Sequence, residues 1–461
     1  MWLYLNLLII LLVPLALGAA VLTALLRERM ENFFFWEKMA LFFSVGWGLH
    51  IVVMFVLGLV KIPLTFANIL AADFIMIAGL LPFYYKYLDI GIRKLEIGNW
   101  KLEIGNIVLA VIGLKILFVA WSTLIKPIID PDLLACYPLA ARMTFLNGTF
   151  PRGWPLADET LMPSLSQAWS SIGIHAWNDS VLTSWSPFLF LGLVIIFYSA
   201  LSRYFSRWYS LLFTFLLSTL PFLVFHAGTA YADFLQAFYY STATIYLFLF
   251  MKEMDRDKER SFGFLLVSAL LLGLAVWAKR SGIYYAGINI ATASVFLGLN
   301  HLKINQENWK KIIYAFVIFA IIIMPWLTYQ PFTTLRSVAK GAVLSIVQPP
   351  SETTSPYTVK PLDIIQAFSR NSFAEDNWHI LGMVFLAALL LYPKTAFSSP
   401  RGYLLAIIGL QFAGLLFIFT LSNMSSTIFN ETLLNRLMLH FVPVILYFCA
   451  EVIGLNVERT D

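Results

Sequence analysis

The sequence is divided into apolar runs that are long enough to cross a lipid bilayer. A helix needs about 20 apolar residues to span the hydrocarbon core. Backbone groups in lipid have no water to bind, so such runs fold as helices. The alternating pattern of a membrane barrel is lacking. The predicted fold is therefore an all-α polytopic membrane protein with about 13 transmembrane helices, at 2–26, 39–60, 64–85, 104–125, 185–201, 208–225, 234–251, 262–277, 283–299, 312–329, 380–392, 403–421 and 437–455.

The composition agrees with this fold and excludes several others. Of the 461 residues, 60% are hydrophobic and 12% are charged, whereas soluble domains carry about 25% charged residues. Disordered, coiled-coil and collagen chains are excluded. Two cysteines, Cys136 and Cys449, form no disulfide framework or metal pattern. The net charge of +5 is spread over short loops, so nucleic acid is not a predicted partner.

The basic residues predict the orientation of the chain. Lys and Arg are concentrated in alternate connections, which the positive-inside rule assigns to the cytoplasm; these connections contain Arg27, Arg29, Lys38, Lys86, Arg93, Lys94, Lys101, Arg203, Arg207, Lys252, Arg256, Lys258, Arg260, Lys303, Lys310, Lys311, Lys394 and Arg401. The N-terminus then faces out and the C-terminus faces in. The first run has no basic residue before it and no clean cleavage site after it, which predicts a retained span.

This orientation organises the chain into five segments. A four-helix membrane segment covers 1–125, and central helices cover 185–329. The C-terminal helices and a short tail cover 380–461. Between them, the long connections 126–184 and 330–379 are predicted to be extracytoplasmic. Loops of that length are usually functional or disordered, so they are the first place to look for chemistry.

The first long loop contains two acidic pairs. Asp130 and Asp132 follow the fourth run directly. Neighbouring carboxylates hinder each other's ionisation, which suits a general base or a ligand set for a divalent ion. The alternative is a helix N-cap. Asp158 and Glu159 lie further along the same loop, where a solvated acidic turn is the alternative reading.

Three other predicted outer connections contain charged residues. Tyr231 and Asp233 lie where the seventh run begins, and an acid there is also favoured by the helix dipole. Lys279 and Arg280 form an outer turn, and Arg436 begins the last run. These cations could hold a phosphate or reach lipid headgroups as snorkelling side chains.

Two charges of opposite sign fall inside consecutive predicted spans. Asp73 and Lys115 lie at similar depths in the third and fourth runs. Unpaired charges at that depth are costly. We therefore predict that Asp73 and Lys115 form an ion pair between adjacent helices.

Four segments, taken in order, resemble the GT-C superfamily of membrane glycosyltransferases, which use polyprenyl-phosphate sugars. They are Asp130-Pro-Asp132, Tyr231-Ala-Asp233, Gly273-Leu-Ala-Val-Trp277-Ala-Lys279 and Arg436 to Pro443. The sequence departs from this family in three ways. The histidine that relatives often have before the acid in the second part of the large loop is absent beside Asp158. Three extra spans precede the acidic loop, and Ala-Lys279-Arg280-Ser stands where relatives often have Thr-Lys-Asn-Glu.

The resemblance implies a mechanism and its participants. The donor would be a sugar on undecaprenyl or dolichyl phosphate, and the acceptor a hydroxyl of a glycan, lipid or protein. Asp132 or Asp130 would be the catalytic base of an inverting transfer on the extracytoplasmic side of a bacterial or archaeal plasma membrane. Cations would stabilise the leaving phosphate. The first candidates are Lys279, Arg280 and Arg436, and the second are Arg336, Lys340 and Arg370 of the second long loop.

The remaining predicted substrate-binding residues are Asp158, Glu159, Tyr231 and Asp233. No cofactor is required by these residues, although the acid pair could hold Mg²⁺ or Mn²⁺. Two other classes stay open: a lipid-linked glycan transporter or flippase, and an enzyme like the O-antigen ligases. Transporters place their charges at the midplane, often within inverted repeats, whereas the charges here lie in predicted outer loops.

Overall fold

The computed structural model describes residues 2–87, 104–126, 128, 136–151, 161–299, 306–329, 361–421 and 431–457. Within these ranges the regular structure is helical and contains no strand. The helices are α1 (Trp2–Leu26), α2 (Phe35–Leu59), α3 (Phe66–Tyr84), α4 (Ile104–Ile125), α5 (Tyr137–Asn147), α6 (Met162–Ile174), α7 (Asp179–Leu182), α8 (Ser186–Ser202), α9 (Arg207–Thr219), α10 (Pro221–Thr229), α11 (Ala232–Glu253), α12 (Lys258–Ala278), α13 (Gly282–Leu299), α14 (Gln306–Tyr329), α15 (Pro361–Phe373), α16 (Leu381–Leu391), α17 (Pro393–Ala396), α18 (Arg401–Leu421), α19 (Glu431–Leu439) and α20 (Val442–Val457).

The predicted all-α membrane fold is confirmed, and the exact count of spans stays a prediction. Among the described residues, 9 helices are long and apolar enough to cross a membrane, or up to 11 if each bent pair is one span. The bent pairs are α9 with α10 and α19 with α20. The two other predicted runs form the shorter helices α13 and α16. Hydropathy therefore located every run as a helix but could not show which helices are bent or short.

Proline explains the bend between α9 and α10. The two helices meet at an angle of 61°, with Leu220 in an extended conformation before Pro221. A proline disfavours the helical conformation of the residue before it and has no N–H to donate. The chain can restart a helix at Pro221 because proline suits the first helical turn.

Helices α11 and α12 form the centre of the molecule. They pack along each other over most of their length, and the apolar part of α11 is entirely buried. Helices α3, α4 and α14 are mostly exposed and present apolar side chains outward. A soluble protein rarely exposes apolar patches of this size, so these helices face lipid.

Close contact joins α1 to α2 beside this centre. A Cβ on Gly18 would lie 1.9 Å from the Phe42 carbonyl oxygen, and one on Gly46 would lie 1.8 Å from the Pro14 carbonyl oxygen. Both positions therefore require glycine. Small residues at a helix crossing allow the backbones to approach and pack without a hydrophobic driving force.

The first long connection, predicted to be extracytoplasmic, contributes a buried helix. Helix α6 is polar in sequence but buried along its whole length. Trp169 Nε1 donates to the Ile10 carbonyl oxygen of α1 at 3.1 Å. Ser166 Oγ accepts from Trp47 Nε1 of α2 at 3.0 Å. Because Trp47 lies in the middle of α2, α6 is inserted between the spans.

Ion pairs fix one end of the bundle. Arg203 binds Glu37, and Lys252 Nζ lies 2.8 Å from Glu451 Oε1. Burial acts to lower the pKa of Arg203, but Glu37 acts the other way, and the pKa is raised overall. These contacts join α2, α8, α11 and α20 at the end that the basic residues predict to be cytoplasmic.

The predicted pairing of Asp73 with Lys115 is wrong. Asp73 is fully buried, and its Oδ2 lies 2.7 Å from His50 Nδ1. Helix α3 packs against α1 and α2, whereas α4 packs against α8, α9 and α10. The prediction assumed that consecutive spans lie side by side. In this fold α3 and α4 pack against different helices, so the assumption led to the error. The need for a buried charge to have a partner was correct.

Candidate functional site

Asp233 is the acid around which the candidate site is built. Helix α10 ends in a left-handed residue, Ala230 (φ 54°). Tyr231 is extended and caps α11, so Asp233 falls in the first turn of α11. No side-chain capping bond is formed at this helix start. The Asp233 side chain has no exposed surface, and a buried carboxylate needs charged partners.

Lys279 is the first partner of Asp233. Helix α12 ends at Ala278, and Lys279 is extended (φ −155°, ψ 150°). Its Nζ lies 2.5 Å from Asp233 Oδ1. The following turn needs glycine at Gly282, because a Cβ there would lie 2.1 Å from the Ala275 carbonyl oxygen. This tight reversal after α12 places Lys279 over the start of α11.

Arg436 and His440 approach Asp233 from the end of the chain. Arg436 Nε and Nη2 lie 2.9 Å and 2.8 Å from Asp233 Oδ2. His440 Nε2 lies 2.9 Å from Asp233 Oδ1. Because an ionised carboxylate only accepts, His440 Nε2 is the donor. We call Asp233, Lys279, Arg436 and His440 the ion cluster.

Aromatic side chains hold the ion cluster in place. His440 Nδ1 lies 2.9 Å from the Tyr285 hydroxyl, and the two rings pack edge to face. The Tyr285 hydroxyl also donates to the Leu437 carbonyl oxygen at 3.3 Å. The Arg436 guanidinium lies over the Tyr231 ring, 5.4 Å from its centroid. Helices α11, α13 and α19 are thereby tied together at one end.

The ion cluster contains two cations for one carboxylate. Lys279 and Arg436 are 18% and 20% exposed, whereas Asp233 and His440 are completely buried. The buried carboxylate therefore fixes two partly exposed cationic groups close to each other. A pair of cations held in this way is suited to binding an anion with several oxygens.

Several buried polar atoms near the ion cluster have no hydrogen-bond partner within the described part of the chain. Gln236 lies one turn after Asp233, and neither its Oε1 nor its Nε2 is bonded. Asn435 Oδ1 and Ser281 Oγ also have no hydrogen-bond partner among the described residues. The same holds for His226 Nδ1, and the His226 ring packs on Tyr231. A buried polar atom without a partner costs about 1–3 kcal/mol, so these atoms are suited to a polar ligand.

The flanks of the acidic loop also lie at Tyr231. Tyr137, Tyr231 and Ala232 form a small buried cluster, and Ile128 and Cys136 pack against it. Asp130 and Asp132 lie outside the described residues. The positions on either side of them are thus held next to the helix turn that carries Asp233.

The structure brings together part of the predicted site. Tyr231, Asp233, Lys279 and Arg436 lie in contact, and Arg280 is half-buried in the turn after Lys279. Arg370 lies 3.3 Å from Glu375. Asp158, Glu159, Arg336 and Lys340 lie outside the described residues. Where the structure describes the chain, no group of three or more His, Cys, Asp or Glu side chains could hold a metal ion.

The sequence analysis did not select His440, Tyr285, Gln236, Asn435 or His226. His440 follows Arg436 by four residues, a spacing that places both on one helix face. That signal was available, because the segment from Arg436 to Pro443 had been singled out. Tyr285 and Gln236 are ordinary helix residues in the sequence, and only the packing of the helices places them at the site.

An apolar cavity of about 400 Å³ lies between α15, α16, α18 and α20. Its lining includes Trp378, Phe412, Met438 and Val442. Met438 lies between Arg436 and His440 in the sequence, so the cavity begins at the segment that completes the ion cluster.

Comparison with known proteins supports the fold. No family model matches the chain, and no curated protein matches it. The structure is similar to that of the archaeal oligosaccharyltransferase AglB from Archaeoglobus fulgidus, in complex with an inhibitory peptide and a dolichol-phosphate. The TM-score is 0.50 at 13% identity, over 76% of this chain and 50% of that protein. The chain thus spans about half the length of this protein and has a similar fold over the matched part.

Proposed function

We propose that the chain is a membrane glycosyltransferase that moves a sugar from a polyprenyl-phosphate carrier to an acceptor hydroxyl. The ion cluster supports this proposal, because it presents two cations, fixed by a buried acid, next to a turn against which the flanks of the acidic loop pack. The structural neighbour is an oligosaccharyltransferase that was captured with a dolichol-phosphate. The acceptor is a glycan, lipid or protein hydroxyl on the extracytoplasmic side.

Lys279 and Arg436 bind the phosphate of the carrier in this proposal. When the sugar leaves, its bond to the phosphate oxygen breaks and the electron pair stays on the phosphate. Cations already held in position stabilise that charge where it develops. Arg280, in the same turn as Lys279, adds a third positive charge. The apolar cavity beside Met438 takes the first part of the carrier's hydrocarbon chain.

Asp132, or Asp130, removes the proton from the acceptor hydroxyl. The hydroxyl oxygen attacks the anomeric carbon from the side opposite the phosphate, which inverts that carbon. The packing of Ile128 and Cys136 near Tyr231 supports placing these acids at the ion cluster. Asp158 and Glu159 bind substrate from the same loop. Asp130 and Asp132 would be the residues that hold Mg²⁺ or Mn²⁺, and such an ion would supply further positive charge for the leaving phosphate.

Carrier binding tests the phosphate site without requiring a known sugar. The purified chain would be mixed with undecaprenyl phosphate, dolichyl phosphate or the matching alcohols, and bound lipid measured by native mass spectrometry. We expect the phosphates to bind at least tenfold more tightly than the alcohols. Lys279→Gln and Arg436→Gln should each remove most of that preference. Equal binding of phosphate and alcohol by the unaltered chain would overturn the proposed site.

Sugar transfer tests the proposed base. Membranes containing the chain would be supplied with radiolabelled polyprenyl-phosphate sugars, and label in the acceptor fraction measured. Asp132→Asn should reduce transfer by at least 100-fold, in line with loss of general base catalysis. The matched control is Asp179→Asn, an exposed acid in the same connection that accepts from Trp177 Nε1 at 2.9 Å.

The same preparations separate the alternatives. A flippase would move labelled carrier between leaflets of proteoliposomes and leave the sugar attached. Transfer that persists in Asp130→Asn, Asp132→Asn and the double variant would contradict the assignment of the base.

A further inference from the structure

An apolar groove lies at the opposite end of the bundle from the ion cluster. It has a volume of about 760 Å³ and is bounded by α4, α8, α9 and the start of α2. Its apolar wall includes Leu109, Ile112, Ile116, Leu191, Val194 and Leu211. It opens at the end of the bundle where Arg203 binds Glu37, and neither the fold similarity nor the proposed transfer reaction gives it a role.

One end of the groove is polar and lies at headgroup depth. Arg207, Ser202 and Tyr198 line this end. Trp36, which also lines it, and the neighbouring Trp208 are about half exposed. Tryptophans on a membrane protein are enriched where the hydrocarbon core meets the lipid headgroups. The groove therefore begins at the level of the headgroups and continues into the apolar part of the bundle.

Arg207 differs from other cations at this end of the bundle. Arg203, Lys252 and Arg29 each form an ion pair with a glutamate. Arg207 Nη2 donates to a neutral partner, Asn106 Oδ1, at 3.0 Å. Within the described ranges no ion pair involves Arg207. An exposed guanidinium whose described partner is a neutral amide complements a phosphate group.

The length of the groove selects its occupant. Leu191 and Ser202 both line it and are separated by eleven residue steps of one helix, or about 16 Å. Half of the hydrocarbon core of a bilayer is about 15 Å thick. The acyl chain of a phospholipid in one leaflet fits this depth, whereas a polyprenyl carrier chain is much longer.

We propose that this groove binds an anionic glycerophospholipid. One acyl chain lies between α4, α8 and α9, and the headgroup phosphate contacts Arg207. The site is separate from the ion cluster, so the inference does not depend on the proposed glycosyltransferase activity.

The test combines loss of the charge with filling of the groove. The full chain would be purified in mild detergent and mixed with phosphatidylglycerol or phosphatidylcholine, and retained lipid counted by native mass spectrometry. A single cation near a lipid surface contributes enough for Arg207→Gln to weaken phosphatidylglycerol retention about fivefold. Phosphatidylcholine retention should fall less, because its choline group already offsets the charge of the phosphate. Arg256→Gln, an exposed arginine at the same end of the bundle, is the matched control.

Gly113→Phe fills the groove without disturbing the fold. A Cβ on Gly113 meets open space, and so does one on Gly79 of α3. Gly113→Phe should lose retention of both lipids, and Gly79→Phe should behave like the unaltered chain. All variants should elute as single species in size-exclusion chromatography.

Any of three results would overturn the inference. The first is that Arg207→Gln retains phosphatidylglycerol as well as Arg256→Gln does. The second is that Gly113→Phe retains it as well as Gly79→Phe does. The third is that undecaprenyl phosphate displaces phosphatidylglycerol from the unaltered chain but not from Gly113→Phe, which would identify the carrier as the occupant.

Discussion

Gln236 shows, at the scale of single residues, how a buried side chain can indicate a ligand. Its amide is fully buried one turn from Asp233 and makes no hydrogen bond within the described chain. A structural role would require a partner inside the protein. If the chain has the proposed transfer activity, this amide would be available to bind a hydroxyl of the donor sugar.

The variant Gln236→Leu distinguishes a structural role of the amide from a role in binding the donor sugar. The substitution keeps the side chain at a similar size and removes two unbonded polar atoms, so the thermal unfolding midpoint should stay the same or rise. Sugar transfer should fall about tenfold or more through loss of donor recognition, while binding of undecaprenyl phosphate stays unchanged. A drop in the unfolding midpoint with unchanged transfer would mean that the amide has a structural partner.

The buried pair of His50 and Asp73 makes a second prediction at this scale. Removing one partner of a buried charged pair costs about 3–5 kcal/mol. We expect Asp73→Ala and His50→Ala to be strongly destabilising when made singly, with a coupling energy of about 1–3 kcal/mol in the double variant. Unfolding in increasing denaturing detergent measures the three variants.

Lys115 provides the control for that cycle. It lies half-exposed on α4, a helix that packs against α8, α9 and α10. The effects of Lys115→Met and Asp73→Ala should add to within about 0.5 kcal/mol. Strong coupling between these two positions would restore the ion pair predicted from the sequence.

At the scale of the elements, the turn between α12 and α13 sets the position of Lys279. Gly282 lies so close to the carbonyl of Ala275 that any side chain would push α13 away from α12. Tyr285, one turn further along α13, would move with it and lose its contact with His440. One backbone contact therefore controls both sides of the ion cluster.

Gly282→Ala should lower both the unfolding midpoint and carrier binding. The added Cβ meets backbone, which cannot rotate away, so we expect a loss of about 1–3 kcal/mol. Gly287→Ala, five residues along the same helix, places its Cβ in open space and should have little effect on either measurement. If the two variants behave alike, the turn does not position Lys279.

At the scale of the whole molecule, the two ends of the bundle differ in how their charges are arranged. One end contains separate ion pairs that join neighbouring helices, such as Arg203 with Glu37 and Lys252 with Glu451. The other end gathers two cations and a histidine on Asp233. The first arrangement fastens helices, whereas the second is suited to binding an anion. The positive-inside rule predicts that the fastened end is cytoplasmic.

Labelling of single cysteines tests this orientation. In a chain with Cys136→Ser, Arg256→Cys and Asp376→Cys place exposed residues in the connection after α11 and before α16. A membrane-impermeant maleimide added to intact cells should label Asp376→Cys and leave Arg256→Cys unlabelled until the cells are opened. The native Cys449 is buried and should not be labelled. The reverse pattern would invert the topology.

The sequence by itself determined the membrane class, the helical runs and the residues that begin or end them. Hydrophobic length and charge placement are local properties, and they are readable without knowing which helix lies beside which. These properties therefore identified Tyr231, Asp233, Lys279 and Arg436 as residues at the ends of helices, although capping stayed an alternative explanation for Asp233.

Only the tertiary structure decided which of these residues meet. The contact of Asp233 with Lys279, Arg436 and His440 depends on three helix ends separated by up to 207 residues. The bends at Pro221 and His440, the insertion of α6 and the pairing of Asp73 with His50 likewise arise from packing. The length of an apolar run determines how a helix is placed across the bilayer, but it does not determine which helices pack against it. The site depends on that packing.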